Sequence, residues 1–284
     1  MKETAILLFS CPDRKGIVAK VSNFIFRNGG NIIHSDEHRD HELNIFFMRV
    51  EWSLDGFRIP KSELPKSIRR LSSELDADYQ LYFSSQKPRV AIFVSKLLHC
   101  LYDLLARYQA GEYRCEIPLI ISNHMDAEPV AKHFGVKFHH FPITKENRLE
   151  QERRELEVLK REKIEAIVLA RYDRILSPQM VQAYRNRIIS VHHSFLPAFV
   201  GRDAYEQAYR RGVKIVGATA YFVTEELDAG PIIEQDVVPV SHRDSLEDFK
   251  RKGEDAEKLV LNRALKWYVE RKILVYDNKT VIFD

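Results

Sequence analysis

Apolar and polar positions divide the chain into two stretches with different rhythms. From Thr4 to Phe83 periodicity and punctuation predict strand, helix, strand, strand, helix, strand. Thr4 to Phe9 is an apolar strand, after which Ile17, Val21, Phe24 and Ile25 recur at helical spacing until Gly29-Gly30 stops the helix. Asn31 to His38 and Ile45 to Trp52 make the central strands, with Phe46, Met48, Val50 and Trp52 alternating onto one face. Leu64, Ile68, Leu71 and Leu75 give a second helix its stripe, and Tyr79 to Phe83 closes the unit. This is a ferredoxin-like βαββαβ pattern, assigned to a domain spanning 1–84.

Beyond the polar link Ser84 to Pro88, apolar strands alternate with helical stretches, which predicts an α/β domain over 85–284 built on an open, mainly parallel sheet of Rossmann-like form. The candidate strands are Val90 to Ser95, Ile117 to Ser122, Ile164 to Ala170, Ile188 to His192, Ile215 to Val223 and Ile232 to Val238. The charged run Lys145 to Lys163 carries Leu149, Leu156, Leu159 and Lys163 at helical spacing and reads as a solvated surface helix. Its charge gives no functional signal. Ser245-x-x-Asp248 reads as a helix start, followed by a stripe through Phe249, Ala256, Val260, Ala264 and Trp267. The segment Ile273 to Phe283, with Asp277-Asn278 in its middle, predicts a hairpin.

Composition narrows the class. The 284 residues suffice for two cores, and 45% hydrophobic with 30% charged is the balance of a globular protein. A net charge of +3 with both signs interleaved gives no stripe for tracking nucleic acid. The three cysteines, Cys11, Cys100 and Cys115, have neither CxxC spacing nor a His partner at metal-finger distance, so neither a disulfide framework nor a metal site is expected. The apolar run within Met1 to Cys11 is short for a signal peptide, and no stretch has the length of a membrane span. A cytoplasmic protein with no membrane partner is the expectation.

Chemistry concentrates in two places. Ile188 to His192 is a buried strand that ends in polar residues, and in open α/β sheets ligands bind beyond the carboxyl ends of strands. Alternation puts Ser190 and His192 on one face and directs His193 away from it, which argues against joint metal chelation by the two histidines. The second place is Val223-Thr224-Glu225-Glu226-Leu227-Asp228-Ala229-Gly230-Pro231, a polar loop between two apolar strands that Gly and Pro allow to be tight. Asp228 there is suited either to orienting a histidine for acid/base work or to capping its own turn.

Together these stretches resemble the formyltetrahydrofolate-dependent transferase and hydrolase superfamily, whose motifs are Asn-x-His and, downstream, an Asp in a Leu-Asp-x-Gly-Pro loop. Its deformylase branch is matched further by Val94-Ser95-Lys96 with His99-Cys100, Ile121-Ser122-Asn123-His124, Leu169-Ala170-Arg171-Tyr172, His193-Ser194-Phe195-Leu196-Pro197 and Gly230-Pro231-Ile232-Ile233-Glu234-Gln235. Cys11-Pro12-Asp13-Arg14-Lys15-Gly16 and Phe46-Phe47-Met48-Arg49-Val50 resemble the ACT domain of that branch.

The resemblance implies hydrolysis of 10-formyltetrahydrofolate, supplying formate and balancing the one-carbon pool for purine biosynthesis. The alternatives are transfer of the formyl group to an amine, or weakly catalytic, regulatory folate binding. It makes His192 the general acid/base and Asp228 its partner, with folate along Arg171, Tyr172, Arg174 and Leu176 and against Thr224 and Glu226. Folate is then the substrate, and neither cofactor nor metal is implied. The ACT resemblance implies a small amino-acid effector such as glycine or methionine, near Asp13, Arg14, Gly16 and Asn31, and assembly as a homodimer or homotetramer.

The segment Ser95-Lys96-Leu97-Leu98-His99 lacks the glycines with which the transferase branch cradles an acceptor phosphate, which favours water as acceptor. Three positions depart from the pattern: Ser190 stands for the family's oxyanion-binding Asn, Tyr221 for its second active-site His, and Asp173 for a Met beside the pterin. Loss of one oxyanion donor typically costs about 10²- to 10³-fold in rate. Ser190→Asn is therefore expected to raise turnover.

Overall fold

The computed structural model describes residues 2–198 and 204–284, which group into two compact units. The first contains β1 (Thr4–Pro12), α1 (Ile17–Arg27), β2 (Asn31–Asp40), β3 (Ile45–Ser53), α2 (Leu64–Leu75) and β4 (Asp78–Phe83), in the predicted order. Its antiparallel sheet runs β2-β3-β1-β4. On one face Phe46, Met48, Val50 and Trp52 meet Ile17, Val21 and Ile25 of α1 and the α2 stripe Leu64, Ile68, Leu71 and Leu75, burying the apolar side of both helices.

The opposite face carries Ile6, Leu8 and Phe47, which pack against Leu274, Val281 and Phe283 of the C-terminal hairpin β12 (Ile273–Tyr276) and β13 (Lys279–Ile282). Residues 271–276 and 281–284 accordingly group with the first unit, as do 85–87, whereas 277–280 group with the second. This departs from the expected division at residue 84. The hairpin could not be assigned from sequence because its partners lie more than 200 positions upstream. Arg49, buried beside Phe47, is held there by the carbonyl of Arg271 at 3.0 Å, Glu51 at 3.0 Å and His34 at 3.2 Å.

The second unit is α/β, as expected. Its seven-stranded sheet has the order β11-β10-β9-β8-β5-β6-β7, comprising β5 (Arg89–Val94), β6 (Glu116–Ser122), β7 (Lys137–His140), β8 (Ala166–Ala170), β9 (Ile188–His192), β10 (Ile215–Phe222) and β11 (Ile232–Pro239). From β9 to β7 the strands are parallel, and β10 lies antiparallel to both of its neighbours. Chain order reverses at β5, with β6 on one side and β8 on the other, which opens a crevice at their carboxyl ends. The short edge strand β7, Lys-Phe-His-His, has too little apolar character to be legible as a strand.

Helices α3 (His99–Gln109), α4 (Glu128–His133), α5 (Arg148–Arg161), α6 (Pro178–Ala183), α7 (Ala204–Arg211) and α8 (Leu246–Val269) complete the unit. The predicted start of α8 is a capping box, with Ser245 accepting from the amide of Asp248 and Asp248 accepting from that of Ser245. Helix α5 departs from the reading as a solvated helix. Leu149 is 59% exposed, whereas Glu152 and Glu155 are 3% and 0% exposed. The reason is tertiary, since the Glu152 carboxylate accepts from the amide of Ser177, at 3.1 and 3.2 Å to its two oxygens, in the segment leading into α6. Among the described residues no helix is long and apolar enough to cross a membrane.

Candidate active site

Strand β9 lies between β8 and β10, so its end is walled on both sides. Ser190 stands opposite Tyr221 in the β9–β10 ladder, and Thr219 opposite His192. From β10 the chain enters the 223–231 loop, which folds back so tightly that the amide of Phe222 donates to the carbonyl of Pro231 at 2.9 Å. A Cβ on Gly230 would lie 1.7 Å from the Phe222 carbonyl oxygen, so only glycine fits. Asp228 is in the left-handed region at φ 56°, a conformation that Asp tolerates better than most residues.

This turn carries the Asp228 carboxylate back over the sheet. One oxygen lies 3.3 Å from His192 Nδ1, and the other accepts from the Tyr221 hydroxyl at 2.8 Å. The side chains of His192 and Asp228 are 7% and 9% exposed, so the pair acts in a medium where charge interactions are stronger than in water. Burial, then the Asp228 charge, pushes the Tyr221 phenol well above its ordinary range, with the Ser190 hydroxyl as a further hydrogen-bonding neighbour acting the other way. Tyr221 is therefore a neutral donor at physiological pH.

A cavity of about 440 Å³ opens above this pair. All of the expected catalytic positions, Ser190, His192, Tyr221 and Asp228, line it, as do the expected folate contacts Arg171, Tyr172, Arg174, Leu176, Thr224 and Glu226. His193 lines it as well, with its ring centroid 4.8 Å from that of His192. This corrects the expectation that His193 points away: β9 ends at His192, and strict alternation ends with the strand.

At the crevice between β5 and β8, Asp173 is bound into a polar cluster. Its carboxylate lies 2.7 Å from Ser95 Oγ and accepts from Asn123 Nδ2 at 3.1 Å, while its own amide donates to Ser95 Oγ at 3.0 Å. Burial pushes the Asp173 carboxyl up, but the Ser95 and Asn123 hydrogen bonds outweigh it and hold the group below the usual carboxylate range.

Three features of this unit were missed from sequence. Glu155 lies buried beneath Tyr172, whose hydroxyl is 3.5 Å away. Burial and then the neighbouring Glu152 charge push its carboxyl up to about 8. Glu257 on α8 is fully buried, and Tyr205 at the start of α7 donates to it at 2.7 Å. One signal was available for Glu257: it interrupts the apolar face of α8 that runs through Phe249, Gly253 and Leu261.

The third feature bears on metal binding. No ligand cluster was expected, yet the fold brings donor atoms of His99, Cys100 and Glu257 within 4.8 Å of one another. The donor set fits an ion-pair network better than a metal. Glu257 is already engaged by His99 at 2.8 Å, Arg171 at 3.5 Å and Tyr205, and burial, then the Glu257 charge, holds the Cys100 thiol well above its ordinary range and so protonated.

The four expected effector residues are not brought together within one chain. Asp13, Arg14 and Gly16 share the β1–α1 loop, where Asp13 pairs with Arg39 at 2.8 Å and Arg14 donates to the carbonyl of Glu74. Asn31 is level with Thr4, both being opposite Ser53, at the far end of the sheet from Pro12. Over eight strand residues the separation is roughly 25 Å.

A cavity at the carboxyl ends of a mainly parallel sheet, floored by a His–Asp pair, is the arrangement of an α/β enzyme's site. The family described as "Formyl transferase" matches residues 88–265, and the ACT domain matches residues 5–51. Similarity extends over nearly the whole chain. The formyltetrahydrofolate deformylase of Synechocystis sp. is 54% identical over 280 residues, covering 99% of this chain and 98% of that one. The formyltetrahydrofolate deformylase of Bacillus subtilis is 46% identical over 279 residues, covering 98% and 93%. The crystal structure of a formyltetrahydrofolate deformylase from Pseudomonas syringae superimposes with a TM-score of 0.97 at 43% identity, covering 100% of this chain and 95% of that one. The chain belongs to the formyltetrahydrofolate deformylase family.

Proposed function

We propose that this protein hydrolyses 10-formyltetrahydrofolate to formate and tetrahydrofolate in the cavity at the end of β9. The observation that carries the reading is the Asp228 carboxylate, which engages His192 Nδ1 and the Tyr221 hydroxyl on the cavity floor. Asp228 accepting Nδ1–H leaves Nε2 as the basic nitrogen of a neutral imidazole. His192 then takes a proton from water as the water oxygen adds to the formyl carbon. The resulting imidazolium and the Ser190 hydroxyl stabilise the tetrahedral oxyanion. As the carbon–N10 bond breaks, His192 returns the proton to N10, and formate and tetrahydrofolate leave.

The pterin lies along Arg171 to Leu176 and against the Thr224 to Asp228 loop, both of which line the cavity. Water is the acceptor because β5 leads through Ser95, Lys96 and Leu97 into α3 with no glycine to bring backbone amides up to a phosphate. The same reading places the reaction in the cytoplasm and a small amino-acid effector, such as glycine or methionine, on the N-terminal unit of a homo-oligomer. The ACT match supports a small-molecule effector.

The test is formate and tetrahydrofolate production by the purified protein, with His192→Ala as control. Loss of general acid/base catalysis is expected to lower turnover by about 10²- to 10⁴-fold with folate binding retained. Near-normal turnover in that variant would overturn the assignment of His192.

A further inference from the structure

Glu257 projects from the middle of α8 with no exposed surface, and three side chains from three other parts of the unit converge on it. His99 Nε2, at the start of α3, is 2.8 Å from one carboxylate oxygen, Arg171 Nε is 3.5 Å from the same oxygen, and the Tyr205 hydroxyl donates to the other at 2.7 Å. Two of these three lead directly to the cavity.

Arg171, the residue after β8, is in the left-handed region at φ 60°, a strained conformation for a side-chain-bearing residue. Its carbonyl accepts from the Ser95 amide at 3.3 Å and its side chain is held by Glu257, so the turn is secured at both backbone and side chain. The cavity wall from Tyr172 to Leu176 starts from that turn. On the other side, the Tyr205 ring centroid lies 5.5 Å from that of His193, which in turn lies 4.8 Å from that of His192.

Helix α8 is hollowed to admit this arrangement. A Cβ on Gly253, one turn before Glu257, would lie 2.2 Å from the Tyr205 ring. Stability alone gives no reason for the cluster, since a buried ionic group can often be replaced by well-packed apolar side chains without loss.

We infer that Glu257 is a positioning residue that sets two walls of the cavity at once, the Arg171 to Leu176 wall through Arg171 and the His192–His193 wall through Tyr205. The inference rests on the proposed deformylase reaction for its kinetic readout, but its two arms predict different effects. Burial pushes the Glu257 carboxyl up, and the His99 hydrogen bond and Arg171 charge outweigh it, so the group stays ionised in the neutral range.

The experiment measures kcat and KM for formate release, tetrahydrofolate affinity by fluorescence quenching, and thermal midpoint, for wild type, Glu257→Gln, Arg171→Met and Tyr205→Phe. Tyr205→Phe keeps the ring against His193 and removes only the bond to Glu257, so kcat is expected to fall about tenfold at unchanged KM. Arg171→Met is expected to raise KM and weaken tetrahydrofolate binding by about tenfold, with a smaller change in kcat. Glu257→Gln should show both effects.

A Glu257→Gln variant with a lowered thermal midpoint but wild-type kcat and KM would make the cluster purely structural and overturn the inference. If Glu257→Gln fails to fold, the other two variants decide, and wild-type constants in both overturn it equally. Should wild type release no formate, the proposed reaction fails by itself. Tetrahydrofolate affinity in Glu257→Gln, whose side chain does not line the cavity, then tests the inference, weakened binding supporting it and unchanged binding overturning it.

Discussion

Asp228 divides its two oxygens between His192 and Tyr221, and Tyr221 faces Ser190 across the ladder. Two of the three departures from the family pattern are therefore neighbours in the ladder, with the Ser190 hydroxyl in hydrogen-bonding reach of the Tyr221 phenol, and they read as a matched pair. Restoring only one half, as in Ser190→Asn, puts a larger amide against an unchanged phenol. We now expect that single change to gain little or to slow the enzyme, unlike the simple rate increase expected from sequence. The double variant Ser190→Asn/Tyr221→His should exceed the product of the single effects, with a coupling of about 1 kcal/mol or more. A double-mutant cycle in kcat/KM measures this, and effects that simply multiply would mean that the positions act independently.

Helix α5 shows how an element can carry an ionisation that its charge pattern hides. Glu155, with a carboxyl at about 8 in the folded chain against an ordinary 4.5, keeps a proton that the unfolded chain has released over that interval. The native state then binds more protons than the unfolded state, so this group makes stability fall as pH rises from about 4.5 to about 8, and its contribution flattens above that. Glu155→Gln mimics the protonated form and should remove that slope, gaining stability relative to wild type at pH 9 on the order of a few kcal/mol. Urea denaturation at pH 6 and pH 9 checks it. An identical slope in both proteins would show that Glu155 is not the titrating group. Its burial was illegible because the stripe of Leu149, Leu156 and Leu159 marks an apolar face without showing that the packed side extends to Glu155, and the demand for Glu152 comes from the Ser177 amide, a contact across 25 positions.

For the molecule as a whole, the C-terminal hairpin completes the core of the first unit. Phe283, 1% exposed, packs with Leu274, Val281, Ile6, Leu8 and Phe47. Phe283→Ala should destabilise that unit by about 3–5 kcal/mol while leaving the second unit's core intact. Hydrogen exchange resolved by segment should show faster exchange in β1 and β3, with β5 and β8 unchanged, and uniform exchange would contradict the unit assignment. Regulation belongs to the same scale. Titrating glycine and methionine into a turnover assay should change the rate at or below millimolar levels, and no response to either would count against those two effectors.

Local order was written in the chain. The strand–helix succession, the stripe Leu64-Ile68-Leu71-Leu75, the capping box at Ser245 and the pairing of Ser190 with His192 on one face follow from periodicity and short-range chemistry that need no distant partner. His192 and Asp228 stood out only as candidates, one at the end of a strand and the other in a tight loop, and their roles came from the family resemblance rather than from local pattern. What only the tertiary structure decided concerns residues whose partners are remote in sequence. The hairpin's place on the first unit, the burial of Glu152, Glu155 and Glu257, the turn of His193 into the cavity and the separation of Asn31 from Asp13 are of this kind. In each case the deciding free energy comes from contacts between elements, and a sequence pattern of period two or 3.6 records which face of an element is apolar but not what that face will meet.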